Sequence, residues 1–284
     1  MKIGVIGAEN SHTEAIAKDI NVEKLIEGFS VEYVWGETRE FAEKAAKEGQ
    51  IPNIVDDPEE MLGKIDALIV DHRHPKFHLE AALPFIKAGI PAFIDKPFCY
   101  RAEEGDRFLK TAKECGAPVT SFSVLVHQKD YLDFVAEMGE AGKVLAGETW
   151  GVCDLDSPHG GIFFYGIHQV DMALKAFGYD VEKVLMTRNG NGATGQLMYP
   201  DGKIVTMHMI QEGFWGFGIG VVGTEKSIHR PVSMDEHMYL TGEMAFCKMF
   251  ETGEEPERPE EMLVPVRVLE AFEKSMESGQ VEMV

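Results

Sequence analysis

Ala67-Leu68-Ile69-Val70, then Asp71-His72-Arg73-His74-Pro75, then a helical stretch from His78 to Ala88, then Pro91-Ala92-Phe93-Ile94: this succession decides the fold class. Four consecutive apolar residues suit a strand buried on both faces. In the next segment Leu79, Ala82, Leu83 and Ile86 share one helical face, and Gly89 follows as a stop signal. A second short apolar run completes strand, helix, strand, the repeating unit of a parallel sheet.

The same alternation extends in both directions. Upstream, Ile3 to Ile6 and Val31 to Trp35 read as strands, each followed by a helical pattern (Ala15, Ile16 and Ile20; Phe41, Ala42, Ala45 and Ala46). Ile54-Val55 suits a short strand, with a helix around Pro58 to Leu62. Downstream, Glu103 to Cys115 reads as a helix and Val119 to Phe122 as the last strand of the series. From about Lys143 the pattern changes. Longer strand candidates appear at Val144 to Val152, Val181 to Arg188, Gly195 to Tyr199, Ile204 to Ile210 and Phe217 to Val222, with Pro200-Asp201-Gly202-Lys203 as a turn. Two helices interrupt them, Ile167 to Phe177 and one carrying Val266, Leu269, Phe272 and Met276. The expected fold is α/β: a doubly wound parallel sheet in residues 1–121, then an α+β domain with a large open, mostly antiparallel sheet in residues 122–284.

Composition narrows the function. The formal net charge of -21 repels nucleic acid and anionic membrane surfaces, so neither is an expected partner. No apolar run approaches the roughly 20 residues that span a bilayer. Met1 to Gly7 carries one positive charge and enters a strand pattern at once, without the apolar segment of a signal peptide, so a cytoplasmic location is expected. Cys99, Cys115, Cys153 and Cys247 form no Cys-x-x-Cys pair and read as reduced thiols.

Two motifs carry the chemistry. In Phe93-Ile94-Asp95-Lys96-Pro97-Phe98 a lysine stands at the C-terminal end of a buried strand. In Tyr165-Gly166-Ile167-His168 a histidine stands at the start of an amphipathic helix. A lysine and a histidine facing one crevice form a proton-transfer pair for alcohol or carbonyl chemistry; separately they read as a surface lysine and a solvated helix face. A first strand ending in Gly7 and leading into a helix is where a Rossmann fold binds a dinucleotide pyrophosphate. The fingerprint G-x-G-x-x-G is here Gly7-Ala8-Glu9-Asn10-Ser11-His12, which keeps only its first glycine. Asn10 and Ser11 remain as caps that leave helix N–H groups to a phosphate. Glu37, near the end of the second strand, is the candidate for a ribose hydroxyl, whereas Arg39 would favour a 2′-phosphate. Arg73 is a candidate for a phosphate or carboxylate. His12, His72, His74 and His78, with Asp71, His159 or His168, invite a metal reading, but no recognised ligand spacing appears and no metal is expected.

At these residues the chain resembles the glucose–fructose oxidoreductase / inositol dehydrogenase / rhizopine-catabolism (Gfo/Idh/MocA) family. Lys2 to Gly7, His78 to Leu83, Ala88 to Phe98 (with Asp95 where the family has glutamate), Gly166-Ile167-His168 with Asp171, Val222 to Ile228 and Leu269 to Gly279 carry the resemblance. It implies NAD or NADP as cofactor and oxidation of a small sugar-like or polyol substrate. It further implies a C-terminal sheet used for self-association, most simply in a homodimer. By position it implies Lys96, His168 and Asp171 as catalytic residues, with Lys96 also touching the cofactor; the residues themselves offer Gly7, Asn10, Ser11, His12, Glu37, Arg73 and His74 as further cofactor contacts. Two places depart: the family has small, uncharged residues beside the cofactor where this chain has the charged loop Asp71 to Pro75, and inositol-type members carry an aspartate four residues before the histidine, where here stands Phe164. His168 then needs another orienting group, for which Asp171 is one turn away. The competing expectations are a non-catalytic sensor or scaffold, motivated by Glu9 and Phe164, and a metal-dependent lyase or hydrolase built on the histidines.

Overall fold

The computed structural model describes residues 1–284, which divide into two compact units. The first comprises Met1–Phe122 with Tyr239–Met262, the second Ser123–Met238 with Leu263–Val284.

The first unit alternates β1 (Lys2–Ile6), α1 (Ser11–Ala17), β2 (Ser30–Trp35), α2 (Arg39–Glu48), β3 (Asn53–Ile54), β4 (Ala67–Val70), α3 (His78–Lys87), β5 (Ala92–Ile94), α4 (Ala102–Cys115) and β6 (Val119–Thr120). Its six strands are parallel, in the order β3-β2-β1-β4-β5-β6. β4 and β5 are buried along their whole length, as their unbroken apolar runs require. Local chemistry sets the helix ends. The Thr38 side chain accepts the Phe41 N–H at the start of α2, and Gly116 in a left-handed conformation ends α4. The order reverses between β1 and β4, so the C-terminal ends of these strands form the crevice in which doubly wound sheets bind ligands. Gly7 lies there at φ +107, and a Cβ on it would come within 2.6 Å of the Asp71 backbone. Only glycine allows β1 and β4 to end so close together.

The second unit contains α5 (Lys129–Met138), β7 (Val144–Val152), α6 (Ile162–Phe177), β8 (Lys183–Asn189), β9 (Gly192–Met198), β10 (Ile204–Ile210), β11 (Phe217–Gly223) and β12 (Ser227–Val232). The chain then passes through α7 (Leu240–Thr252), which belongs to the first unit, and α8 (Pro259–Ser278) before closing with β13 (Glu282–Met283). The seven-stranded sheet runs β12-β11-β7-β10-β9-β8-β13, antiparallel throughout except for the parallel pair β7 and β10. Along β7, β9 and β10 buried residues alternate with more exposed ones, which marks one covered face. Helix α6 packs on the covered face. There buried Gln169 donates to the Gly151 carbonyl at 3.1 Å and lies 3.3 Å from the Thr149 hydroxyl, which donates to it. This amide fixes the rotation of α6 against β7, and with it the direction of the adjacent His168.

The α/β fold class agrees with expectation, and several local expectations do not, β12 and β13 being strands the sequence reading lacked. α5 and α7 were not foreseen, and α6 begins at Ile162 rather than Ile167, so His168 lies well inside a helix. In α7, Gly242 and the buried Glu243 interrupt the apolar pattern, while α5 leaves Leu132 and Val135 exposed. Gly160-Gly161 disguised the start of α6: both have positive φ, and the helix begins at the next residue.

Candidate functional site

Four loops after strands β1, β2, β4 and β5 meet at the crevice of the first unit. Asn10 precedes α1 in N-cap position, yet its side chain makes no cap bond. Its amide instead donates to Asp71 Oδ1 at 2.9 Å and to Asp95 Oδ2 at 3.3 Å. The cap comes from across the sheet: Asp71 Oδ2 accepts the Thr13 N–H at 2.8 Å and the Thr13 hydroxyl at 2.6 Å. This corrects the expectation that Asn10 and Ser11 cap the helix, because a buried carboxylate satisfies the N–H group better than the neutral amide does. Ser11 is the exposed first residue of α1.

His12 Nδ1 stands 3.3 Å from Asp95 Oδ1 and 3.5 Å from Asp71 Oδ1. Lys96 is buried (8% exposed), with Nζ 3.4 Å from Asp95 Oδ2. Burial works against a charge on His12. The charge of Asp95 and hydrogen bonds to both aspartates outweigh it, with Lys96 opposing, and raise its pKa to about 9. For Asp95 burial pushes up, but Lys96 and then His12 hold the carboxyl well below the usual carboxylate range. His78 is wholly buried between two loops, its Nε2 2.8 Å from the His72 carbonyl oxygen and its Nδ1 3.0 Å from that of Pro97. Two carbonyl acceptors suit an imidazolium, yet burial prevails and lowers its pKa. His72 is brought down to about 4, by burial first and then by His78.

At the end of β2, Glu37 Oε2 accepts the N–H groups of Ala8 and Glu9, both at 2.9 Å. Its other oxygen, Oε1, is buried and has no partner. Beside it a hollow of about 230 Å3 is lined by Trp35, Gly36, Thr38, Ile54 and Val55. An orphaned carboxylate oxygen at the end of the second strand fits the ribose hydroxyls of a dinucleotide. Arg39 is engaged elsewhere, with Glu43 at 3.1 Å and Asp56 at 3.2 Å. Arg73 lies half-buried in the loop after β4. His74 accepts the Lys76 N–H at 3.2 Å, and its ring packs edge-on against Tyr100.

In the second unit His168 is buried (6% exposed), which removes the reading of a solvated face. Its Nδ1 lies 2.6 Å from Ser123 Oγ, and Asp171 Oδ2 accepts the Ser123 N–H at 2.8 Å. Ser123, a residue sequence reasoning missed, thus touches both Asp171 and His168. Nothing local marks Ser123, since its partner is 45 positions away. Phe164, at the position of the family's aspartate, packs against the His159 ring at 5.0 Å and the Tyr165 ring at 4.8 Å.

Residues 1–122 match the model of the GFO_IDH_MocA family, described as "Oxidoreductase family, NAD-binding Rossmann fold". Over those residues, which make up less than half of the chain, the sequence is similar to that oxidoreductase family. Solved structures extend the likeness of fold to the whole chain. The scyllo-inositol dehydrogenase of Lactobacillus casei, solved with bound NAD(H) and scyllo-inositol, is 15% identical with a TM-score of 0.87, covering 100% of this chain and 98% of its own. Myo-inositol 2-dehydrogenase from Lactobacillus plantarum is 17% identical with a TM-score of 0.87, covering 100% and 99%. A myo-inositol dehydrogenase from Corynebacterium glutamicum is 14% identical with a TM-score of 0.84, covering 100% and 98%. Among curated proteins no relative matches by sequence.

Proposed function

We propose that the protein is an NAD-dependent oxidoreductase acting on a hydroxyl or carbonyl group of a small sugar-like or polyol substrate. The observation that carries this reading is the buried Lys96 at the C-terminal end of β5, within the residues similar to the NAD-binding oxidoreductase family. NAD, when bound, supplies the hydride acceptor. Oxidising a hydroxyl also requires a group that takes its proton, and Lys96 Nζ has that role in this reading. Asp95, 3.4 Å away, orients the lysine.

In the second unit His168 is the proposed substrate-binding partner. For Nε2 to accept a hydrogen bond, the ring proton must sit on Nδ1 and point to Ser123 Oγ, an arrangement the 2.6 Å contact permits. Glu37 favours NAD over NADP, because its unpaired oxygen welcomes a ribose diol and repels a 2′-phosphate. The proposed phosphate contact is Arg73. The protein is further proposed to be cytoplasmic and to self-associate through the open face of its seven-stranded sheet.

Titration calorimetry tests the cofactor reading. Micromolar binding of NADH, at least about tenfold tighter than NADPH, is expected, since one unpaired buried polar contact is worth about 1–3 kcal/mol. Absence of binding by either nucleotide overturns it. A panel of inositols and sugars, followed by NADH absorbance, then identifies the substrate class. Lys96→Ala retaining full turnover removes the lysine from the mechanism.

A further inference from the structure

We propose that Asn10, His12, Asp71 and Asp95 form a binding site for one divalent transition-metal ion of zinc-like size. The argument is geometric. The His12 nitrogen and one oxygen of each aspartate all lie within 4.8 Å of one another. Two of these separations are 3.3 and 3.5 Å. They are long for a charge-assisted N–H···O bond, normally about 2.7–2.9 Å. They match the ~3.4 Å edge of a tetrahedron built on metal–ligand bonds of ~2.05 Å.

The Asn10 amide lies beside this triad as a fourth donor group, next to His12, to Asp71 Oδ1 and to the Asp95 oxygen that faces Lys96. Its Nδ2 position is 3.2 Å from His12 Nδ1, 2.9 Å from Asp71 Oδ1 and 3.3 Å from Asp95 Oδ2. Rotating the amide by half a turn exchanges nitrogen for oxygen at the same place and presents a carbonyl ligand. The donor set is then one imidazole nitrogen and three oxygens, which suits Zn2+ or its close analogues. Ca2+ demands longer bonds and more ligands.

The supporting contacts are already in place. Thr13 holds Asp71 through Oδ2 alone, with its N–H at 2.8 Å and its hydroxyl at 2.6 Å, which turns Oδ1 inward. Lys96 lies on Asp95 Oδ2, leaving Oδ1 toward His12. Such outer contacts orient metal ligands and tune affinity. Asn10, Asp71 and Asp95 are buried, whereas the His12 side chain is 15% exposed and offers a way in. The ligands come from the loops after β1, β4 and β5, so the ion would tie three neighbouring strand ends together at the ligand crevice. A sequence-spacing rule misses such a site because no two ligands follow a metal-binding motif.

The test uses the full chain, stripped with chelator and titrated with Zn2+ by calorimetry and with Co2+ by visible absorption. The expected result is one ion per chain at micromolar affinity or tighter, with the intense absorption of tetrahedral cobalt. His12→Gln and Asn10→Ala should each weaken binding by about tenfold or more. Their far-ultraviolet circular dichroism reports folding, so either variant decides if the other does not fold. The proposal is overturned by no stoichiometric binding to the native chain, by a weak octahedral cobalt spectrum, or by unchanged affinity in the folded variants. No nucleotide enters the measurement, so its failure leaves the redox reading untouched, and failure to bind NADH leaves the metal site untouched.

Discussion

Replacing Glu243 by methionine should make the first unit more stable and flatten its response to pH. Glu243 lies in α7 at 1% exposure, and neither carboxyl oxygen has a hydrogen-bond partner. Burial, with the charge of Asp19 adding to it, raises its pKa from 4.5 to about 9. The folded chain therefore keeps a proton that the unfolded chain releases between these two values. Stability from this group is complete below 4.5 and is lost as pH climbs toward about 9. At about 1.36 kcal/mol per pKa unit, holding that proton at pH 7 costs about 3 kcal/mol, and stability falls by about 4 kcal/mol between pH 5 and pH 8. Methionine has similar volume and no charge to desolvate, with a repacking cost below about 1.5 kcal/mol. Urea unfolding can be followed by Trp35 fluorescence, in a background carrying Trp150→Phe and Trp215→Phe so that only the first unit reports. The variant should gain about 2–3 kcal/mol near pH 7–8 and less than about 1 kcal/mol near pH 5. Parallel stability curves for parent and variant across that range would refute the reasoning.

Ser123→Ala leaves the Leu125 N–H and the buried His168 ring without that hydroxyl, and should cost about 1–3 kcal/mol in urea unfolding of the second unit; an unchanged midpoint contradicts the contact. Glu37→Gln should bring NADH and NADPH affinities to within about tenfold of each other by removing the repelling charge, and an undiminished preference for NADH assigns selectivity elsewhere. Of the four cysteines only Cys115 is exposed, while burial first and Asp154 second push the Cys153 thiol up to about 12. A thiol reagent should therefore modify one cysteine quickly in the native chain, and two fast equivalents would disprove this. Phe272→Ala should cost about 3–5 kcal/mol, because its fully buried ring fills the space over Gly195 and leaves a cavity when removed.

Elements with uniform surroundings were legible in the sequence. β4 and β5 are buried on both faces and read as unbroken apolar runs, and β7 and β10 fell at their observed bounds. α5 and α7 were not legible, since one leaves apolar residues exposed and the other buries a carboxyl group. At the candidate site, Lys96 and His168 could be named from their motifs. Contacts between distant residues could not: Asp71 reaches Thr13 across 58 positions, and Ser123 reaches His168 across 45. Helix caps and ring orientation were expected from neighbours in the chain, whereas the structure draws them from other elements. His12 shows the same limit. Read as a failed glycine of a phosphate loop, it instead faces two buried aspartates.

The return of Tyr239–Met262 to the first unit bears on how the chain acquires its structure during synthesis. Phe246, carried on α7, stacks on Phe93 at 4.6 Å between ring centres. A ribosome must therefore make nearly the whole second unit before that aromatic pair can close, and until then β5 keeps one ring face uncovered. A fragment ending at residue 122 should be prone to aggregation, however complete its sheet. Engineering that exchanges the N-terminal half between relatives would have to carry the distant helix with it.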